Sequence, residues 1–391
     1  MSELRKGTMA VWGGESEPFP AGATTPPIFN SVTFAYDDLD DWYKVALGTH
    51  PGFIYSRNTN PTVKILEEKV RLLENGESAT AFATGMAAIS NTLFALLKPG
   101  DKVVSIKDTY GGTSKIFLEF LPRYGVQVRL CETTSTEDIE SAIREGCDLL
   151  YLETPTNPTL KVVDLPRLAS LARHYGAIVI VDNTFATPIN QNPLILGAHL
   201  VVHSATKFLS GHSDVMGGIL TGQEDLVKKV FEYREINGAS LPAEAAYMIL
   251  RGMKTLELRV SRQNASALTI ARFLGTHPKV KQVYYPGLTS HPQHTTAKQQ
   301  MRGFGGVLSF SIHGDYDQVK KFLPSLKLTH LAASLGSVST IAGTPRTTSH
   351  VELTPEQRAA LGIPESLIRY SVGIENVEDL IADLSQALDK I

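Results

Sequence analysis

Cysteine is scarce in this chain: Cys131 and Cys147 are the only two among 391 residues. Two thiols cannot build a disulfide framework; they suit a reducing compartment and read most simply as small buried hydrophobes. A surplus of either charge is also missing. Lys plus Arg number 37 and Asp plus Glu 40, a formal net charge of −3, so neither nucleic acid nor an anionic membrane is the default partner. No apolar run approaches the roughly 20 residues needed to span a bilayer. The opening Met1-Ser-Glu-Leu-Arg-Lys-Gly-Thr8 has no apolar core of a signal peptide, and the expectation is a cytoplasmic protein. Internal repeats and low-complexity runs are absent as well. What remains is ordinary globular usage, 42% hydrophobic and 20% charged. The length suits two or three domains, or one large α/β domain, with a core that needs no staples.

The first sixty residues are punctuated by Pro18, Pro20, Pro26, Pro27, Pro51 and Pro61, and only Asp37–Leu47 promises more than a turn or two of helix. Aromatic residues (Phe29, Phe34, Tyr36, Trp42, Tyr43, Phe53, Tyr55) argue against a disordered tail and for an arm that wraps a partner. From Thr62 to about Gly222, strand patterns at Ala79–Ala83, Lys102–Ile106, Val126–Leu130, Leu149–Glu153, Ala177–Val181, Leu200–Ser204 and Gly218–Thr221 alternate with helix patterns. Those helices are Met86–Leu97, Ser114–Tyr124, Thr136–Glu145, Leu165–His174 and a short one around Pro193–Leu196. Near-continuous Val/Ile/Leu strands separated by helices predict an α/β fold with a mainly parallel central sheet covered on both faces. Gly100, Gly125, Gly146 and Gly176 stand where helix C-caps want glycine. Beyond about Met253 the pattern changes to a smaller α+β domain. A long helix over Ala243–Leu274 leads to strands at Val280–Tyr285, Gly306–Ile312 and Ile368–Val372, with helices at Tyr316–Leu326 and Val377–Leu388, the last N-capped by Asn376. The expected division is an arm at 1–60, an α/β domain at 61–252 and a C-terminal domain at 253–391.

Ligands of open α/β sheets bind outside the carboxyl ends of the strands, and unusual residues collect there. Gly85 and Met86 open a helix whose free N–H groups suit a phosphate. Ser204 and Thr206 add hydroxyl donors. Lys207, directly after a buried strand, is placed to act as an amine nucleophile that forms a Schiff base. Asp182, at the end of a neighbouring strand, is placed to hold a pyridinium nitrogen protonated. A Schiff-base lysine with an aspartate facing a ring nitrogen is the pairing expected of pyridoxal phosphate chemistry. Taken singly, each residue has a plainer reading: a surface lysine, a helix N-cap at Asp182, a tight turn at Gly85, a core aromatic at Tyr110. It is their convergence on one edge that carries the functional reading. Metal binding is set aside, because His199 and His203 fall on a loop-to-strand segment and His291 and His294 lack an acidic or Cys partner.

The string Ser204-Ala-Thr-Lys207-Phe-Leu-Ser-Gly-His-Ser-Asp214 resembles the lysine signature of the Cys/Met-metabolism (trans-sulfuration) pyridoxal-phosphate enzymes. Further similar strings follow in family order. They are Tyr55-Ser-Arg57-Asn-Thr-Asn-Pro-Thr62, Thr84-Gly-Met-Ala-Ala88, Asp108-Thr-Tyr-Gly-Gly-Thr113, Glu153-Thr-Pro-Thr-Asn-Pro158, Val181-Asp-Asn-Thr184 and Arg369-Tyr-Ser-Val-Gly-Ile-Glu375. The resemblance covers nearly the whole chain. It implies the aminotransferase-like architecture called fold type I, pyridoxal 5′-phosphate as cofactor, a small amino-acid substrate and a homo-oligomer, a dimer of dimers.

Residue by residue, the resemblance implies that Lys207 holds the cofactor and shuttles protons. Asp182 pairs with the pyridine nitrogen, Asn157 sits near the phenolic oxygen and the substrate, and Tyr110 stacks over the ring. Gly85, Met86, Ser204 and Thr206 take the phosphate, joined by Tyr55 and Arg57 from a neighbouring subunit; Tyr110 and Tyr55 count with Lys207 among the catalytic residues. Arg369 takes the substrate α-carboxylate, for which its bidentate fork is suited, and Ser334 orients Lys207 or the substrate.

Some positions depart from common family patterns. Trp12 stands where a His often precedes the Gly-Gly pair. Gly112 replaces the cysteine of methionine γ-lyases, and Ala333 replaces a glutamate carried by many cystathionine-handling members. Arg346, in the unusual stretch Ser337–Arg346, is read as a surface residue, with contact to an acidic acceptor as the alternative. The expected activity is γ-replacement on an O-acyl-L-homoserine by a sulfur nucleophile. The alternative is γ-elimination to 2-oxobutanoate and ammonia. A non-catalytic cofactor-binding regulator finds no support, since no basic patch or helix-turn-helix segment is present.

Overall fold

The protein is described here as a computed structural model covering residues 4–351 and 354–391. Its larger sheet has seven strands: β1 (Ser78–Phe82), β2 (Lys102–Ile106), β3 (Gln127–Cys131), β4 (Leu149–Glu153), β5 (Ile178–Asp182), β6 (Leu200–Ser204) and β7 (Gly218–Gly222). They lie in the order β1-β7-β6-β5-β4-β2-β3. From β6 to β3 all neighbours are parallel, while β7 runs antiparallel to both β6 and β1. The apolar runs read from the sequence are therefore the interior of this sheet; every residue of β4 is buried.

Helices cover both faces, as parallel strands require. On one face Ala88, Ile89 and Leu93 of the helix Gly85–Leu96, with Val227 and Val230 of Glu224–Asn237, pack on Ile180, Val202 and Leu220. On the other, Ile139 and Ile143 of Thr136–Arg144 and Leu168 of Leu165–His174 pack on Val104, Val179 and Val181. Each such side chain contributes roughly 1.5–3 kcal/mol of burial. The helix Glu224–Asn237 was not read from the sequence; its polar, weakly amphipathic composition hides it. The four predicted cap glycines all adopt positive φ, as at Gly125 (φ 73°).

The second sheet has five strands: β8 (Val280–Tyr284), β9 (Val307–Ile312), β10 (His330–Leu331), β11 (Ile341–Gly343) and β12 (Leu367–Ser371), in the order β10-β11-β12-β9-β8. β10 and β11 are too short to have left a pattern. The single long helix expected over Ala243–Leu274 is in fact two, Ala243–Met253 and Leu256–Thr276. At the break the Gly252 carbonyl accepts from Arg259 Nη2 (2.8 Å), Thr255 Oγ1 (3.1 Å) and Thr255 N (3.3 Å), a tight turn in place of the donor of a continued helix. The helix expected at Ser114–Tyr124 begins earlier, at Gly111, and passes through a wide turn (Ile116–Phe120) into a tight one (Leu121–Tyr124) at Pro122. Pro193–Leu196 forms turns rather than a helix, the short helix lying at Thr187–Asn190. Asn376 occupies the N-cap position of Val377–Leu388 without a capping bond; its Oδ1 accepts from Arg262 at 3.4 Å instead.

The amino-terminal segment buries Met9 and Ala10 of its first helix in the core, but further along it leaves apolar groups outward. Its helix Leu39–Ala46, capped by Asp38, buries no residue, and Leu39 and Tyr43 are 77% and 64% exposed. Asn60 caps the next helix, Pro61–Glu74, by accepting from Thr62 N at 2.9 Å. Among the described residues no helix is long and apolar enough to cross a membrane.

Candidate active site

The carboxyl ends of β4, β5 and β6 bring Glu153, Asp182 and Ser204 to one edge, with Glu153 directly opposite Asp182 in the parallel register. The amino end of Gly85–Leu96 meets them from the side. Thr84 caps that helix by accepting from Ala87 N (3.0 Å), which leaves the N–H groups of Gly85 and Met86 directed outward. A Cβ on Gly85 would lie 2.7 Å from Ser204 Cβ, so only glycine lets the helix start approach this closely. A cavity of about 230 Å³ results, walled by Gly85, Met86, Tyr110, Asn157, Asp182, Ser204, Thr206 and Lys207, all expected there from the sequence.

Lys207 follows β6 in the loop to β7, which Thr206 closes by exchanging bonds with Gly217 (Oγ1 to O 3.3 Å, N to Oγ1 3.1 Å). Its Nζ donates to Ser334 Oγ at 2.9 Å. Burial, assisted by the nearby Arg369 guanidinium, pushes the amine down to about 8. Arg369, on β12, donates to Asn157 Oδ1 (3.0 Å) and to the Ser334 carbonyl (2.8 Å), and burial lowers it to about 10. Ser334 has φ +98°, a conformation that costs a non-glycine residue on the order of 1–3 kcal/mol. It is held there by bonds at both its hydroxyl and its carbonyl.

Asp182 is 8% exposed, and burial raises its carboxyl above the usual range. One oxygen accepts from Thr184 N at 3.0 Å, so the plainer N-cap-like contact is made as well; the other accepts from Tyr151 OH at 3.4 Å. No ion pair reaches Asp182 among the described residues. A buried carboxylate that faces a cavity without a cation fits a protonated ring nitrogen, and the outward N–H groups of Gly85 and Met86 beside Ser204 fit a phosphate. These residues suit pyridoxal phosphate. Two residues beside Asp182 were not singled out from the sequence: Tyr151 and Glu153. Burial and the Asp182 carboxylate push Glu153 well up. The signal available for it was an ionisable side chain ending the apolar run Leu149–Leu152.

Tyr55 and Arg57 do not join this cavity within one chain. Both are exposed on the arm, the Arg57 guanidinium 5.2 Å from the Tyr55 ring centroid. At Gly112 a Cβ would meet Met86 Sδ at 2.9 Å, so the Met86 thioether fills the room a larger residue would need. Ala333 and Ser334 line a second cavity of about 540 Å³, which shares Thr206 and Met216 with the first. Arg346 is a surface residue paired with Glu365 (3.1 Å) and stacked on Tyr316 (4.3 Å). Trp12 is 59% exposed. His203 bonds buried Glu74 at 2.7 Å, and His199 Nδ1 accepts from Val179 N at 2.8 Å; no metal-ligating cluster exists among the described residues. Both cysteines are buried and free.

Residues 7–389 match the family described as Cys/Met metabolism PLP-dependent enzyme. The chain is 43% identical over 388 residues to an L-methionine gamma-lyase of Fusobacterium nucleatum subsp. polymorphum, covering 98% of each. It is 42% identical to a cystathionine gamma-lyase of Bacillus subtilis, covering 99% of this chain and all of that one. A cystathionine gamma synthase of Xanthomonas oryzae pv. oryzae, solved with aminoacrylate and cysteine, superposes with a TM-score of 0.94 at 36% identity, covering 99% and 98% of the two chains. Lyases and synthases thus stand side by side among the relatives, and what they have in common with this chain is fold, cofactor and sulfur amino-acid chemistry. The chain belongs to the Cys/Met-metabolism family of pyridoxal-phosphate-dependent enzymes.

Proposed function

We propose that the chain catalyses γ-replacement on an O-acyl-L-homoserine, a sulfur nucleophile displacing the acyloxy group. The observation that carries this reading is the second cavity. It adjoins Lys207 and Ser334 and offers about 540 Å³ for a second reactant; Ala333 stands at its wall, and Asp214 supplies a carboxylate there. Such a wall has room for a sulfur nucleophile beside the amine, whether small or carrying an amino group that Asp214 can meet.

Pyridoxal phosphate bound in the first cavity supplies the electron sink that makes the substrate's Cα and Cβ protons acidic. Asp182 would hold the pyridine nitrogen protonated, and Asn157 and Tyr110 would help to hold the ring. Gly85, Met86, Ser204 and Thr206 would receive the phosphate, and Tyr55 and Arg57 of a second copy would complete that site. Arg369 takes the substrate carboxylate through its fork, exchanging its present acceptors for the ligand. The Lys207 amine, oriented by Ser334, would take the proton from Cα, pass it on to the electron sink, and only then take the proton from Cβ, since its one lone pair holds one proton at a time. The acyloxy group would leave Cγ with its bonding pair as a carboxylate, the sulfur nucleophile would give its proton to solvent as it adds at Cγ, and Lys207 would return protons to Cβ and Cα. The arm 1–60, the cofactor domain 61–252 and the C-terminal domain 253–391 are assigned these separate parts.

A second reading, γ-elimination, is favoured by the relatives named as lyases. There water takes the place of the thiol, and 2-oxobutanoate and ammonia are released. Product analysis decides between them. The enzyme is incubated with O-acetyl- and O-succinyl-homoserine, each with sulfide or cysteine, and with cystathionine and methionine alone. A γ-substituted amino acid from either ester supports replacement. Production of 2-oxobutanoate from cystathionine or methionine, with no substituted product from either ester, overturns it.

A further inference from the structure

We propose that Glu153 is a positioning residue whose one carboxylate ties the cofactor side of the site to its substrate side. Glu153 is 4% exposed at the end of β4. Its Oε2 accepts from Tyr110 N at 2.8 Å and its Oε1 from Asn157 N at 3.2 Å, so both oxygens are committed to two different loops. The first loop presents the Tyr110 ring to the cavity. The second presents Asn157, whose Oδ1 accepts from Arg369 Nη1 at 3.0 Å; Arg369 then reaches the Ser334 carbonyl, and Ser334 Oγ receives Lys207 Nζ. Displacing Glu153 therefore moves the ring cover and the carboxylate fork together. Ionised glutamate offers an acceptor at both tips, and the two N–H groups favour that form against the burial and the Asp182 charge that raise its proton affinity.

This inference rests on the proposed reading only in placing a substrate carboxylate at Arg369; it is indifferent to replacement or elimination. In Glu153→Gln the amide nitrogen faces one of the two N–H groups, donor against donor. Glu153→Asp keeps both acceptors but shortens the reach. The holoenzyme of each variant is dialysed against cofactor-free buffer while the visible band is followed, and KM and kcat are measured on whichever substrate is turned over. Expected for Glu153→Gln are cofactor loss about tenfold faster and KM about tenfold higher, with a smaller fall in kcat and the far-UV unfolding temperature near that of the parent. The aspartate variant should fall between. A lowered unfolding temperature with unchanged cofactor loss and KM overturns the proposal, as does a change in only one of those two readings. Failure of both variants to fold also overturns it, making Glu153 a residue of the core alone.

Discussion

At the residue scale the site turns on an amine that burial and a guanidinium hold near 8, where a free lysine titrates near 10.5. The protonated amine cannot attack an aldehyde. Formation of the visible band by cofactor-free protein and pyridoxal phosphate should therefore rise with pH through about 8, with little further gain towards 10.5. A midpoint above 9.5 would sink this account. Folding follows the same sign: the folded chain binds fewer protons than the unfolded one between about 8 and 10.5, so this group's share of stability grows with pH across that window. Replacement of Lys207 by alanine should abolish turnover while leaving far-UV circular dichroism unchanged; survival of a tenth of the parent activity would show the base to lie elsewhere. Arg369→Lys should raise KM by roughly tenfold or more, because a point charge loses the second of two parallel bonds. Lys207, Asp182 and Gly85 were legible in the sequence because each sits at an abrupt change from apolar strand to polar turn, whereas Arg369, inside β12, and Ser334 came only through the family resemblance. Tyr151 and Glu153 were not legible, since their part lies in contacts between neighbouring strands, which one-dimensional spacing does not encode.

Elements were legible in proportion to their burial. The strands of the larger sheet fall within a residue of their expected places, because covering both faces of a parallel sheet forces continuous apolar runs. The helix Glu224–Asn237 and the two-residue strand β10 left no such mark. The break after Met253 was hidden for another reason: composition continues helical while the Gly252 carbonyl is taken by Thr255 and by the Arg259 side chain. Gly252 is also where two segments touch. A Cβ there would lie 2.0 Å from the Ser210 carbonyl oxygen, three residues beyond Lys207. Gly252→Ala should destabilise by about 1–3 kcal/mol, the usual cost of overpacking, and lower the melting temperature by several degrees in calorimetry. An unchanged melting temperature would mean the two segments slide apart freely.

For the whole molecule the outward apolar face of Leu39–Ala46 and the separation of Arg57 from its own chain's cavity support an assembly in which sites are shared. Light scattering should give at least a dimer at working concentration, and an active monomer would defeat this. Arg57→Ala should weaken cofactor retention by about tenfold or more in equilibrium dialysis, the effect of losing a charge-assisted bond. The strand order carries a different consequence. Edge strand β1 hydrogen-bonds to β7 within the sheet, which the ribosome delivers only when it reaches residues 218–222. At ~5–20 residues per second, β1 waits on the order of ten seconds with its backbone unpaired. The nascent chain thus carries an open strand edge through much of its synthesis, and a chaperone that shields extended segments would raise the yield of native enzyme more than its activity once folded.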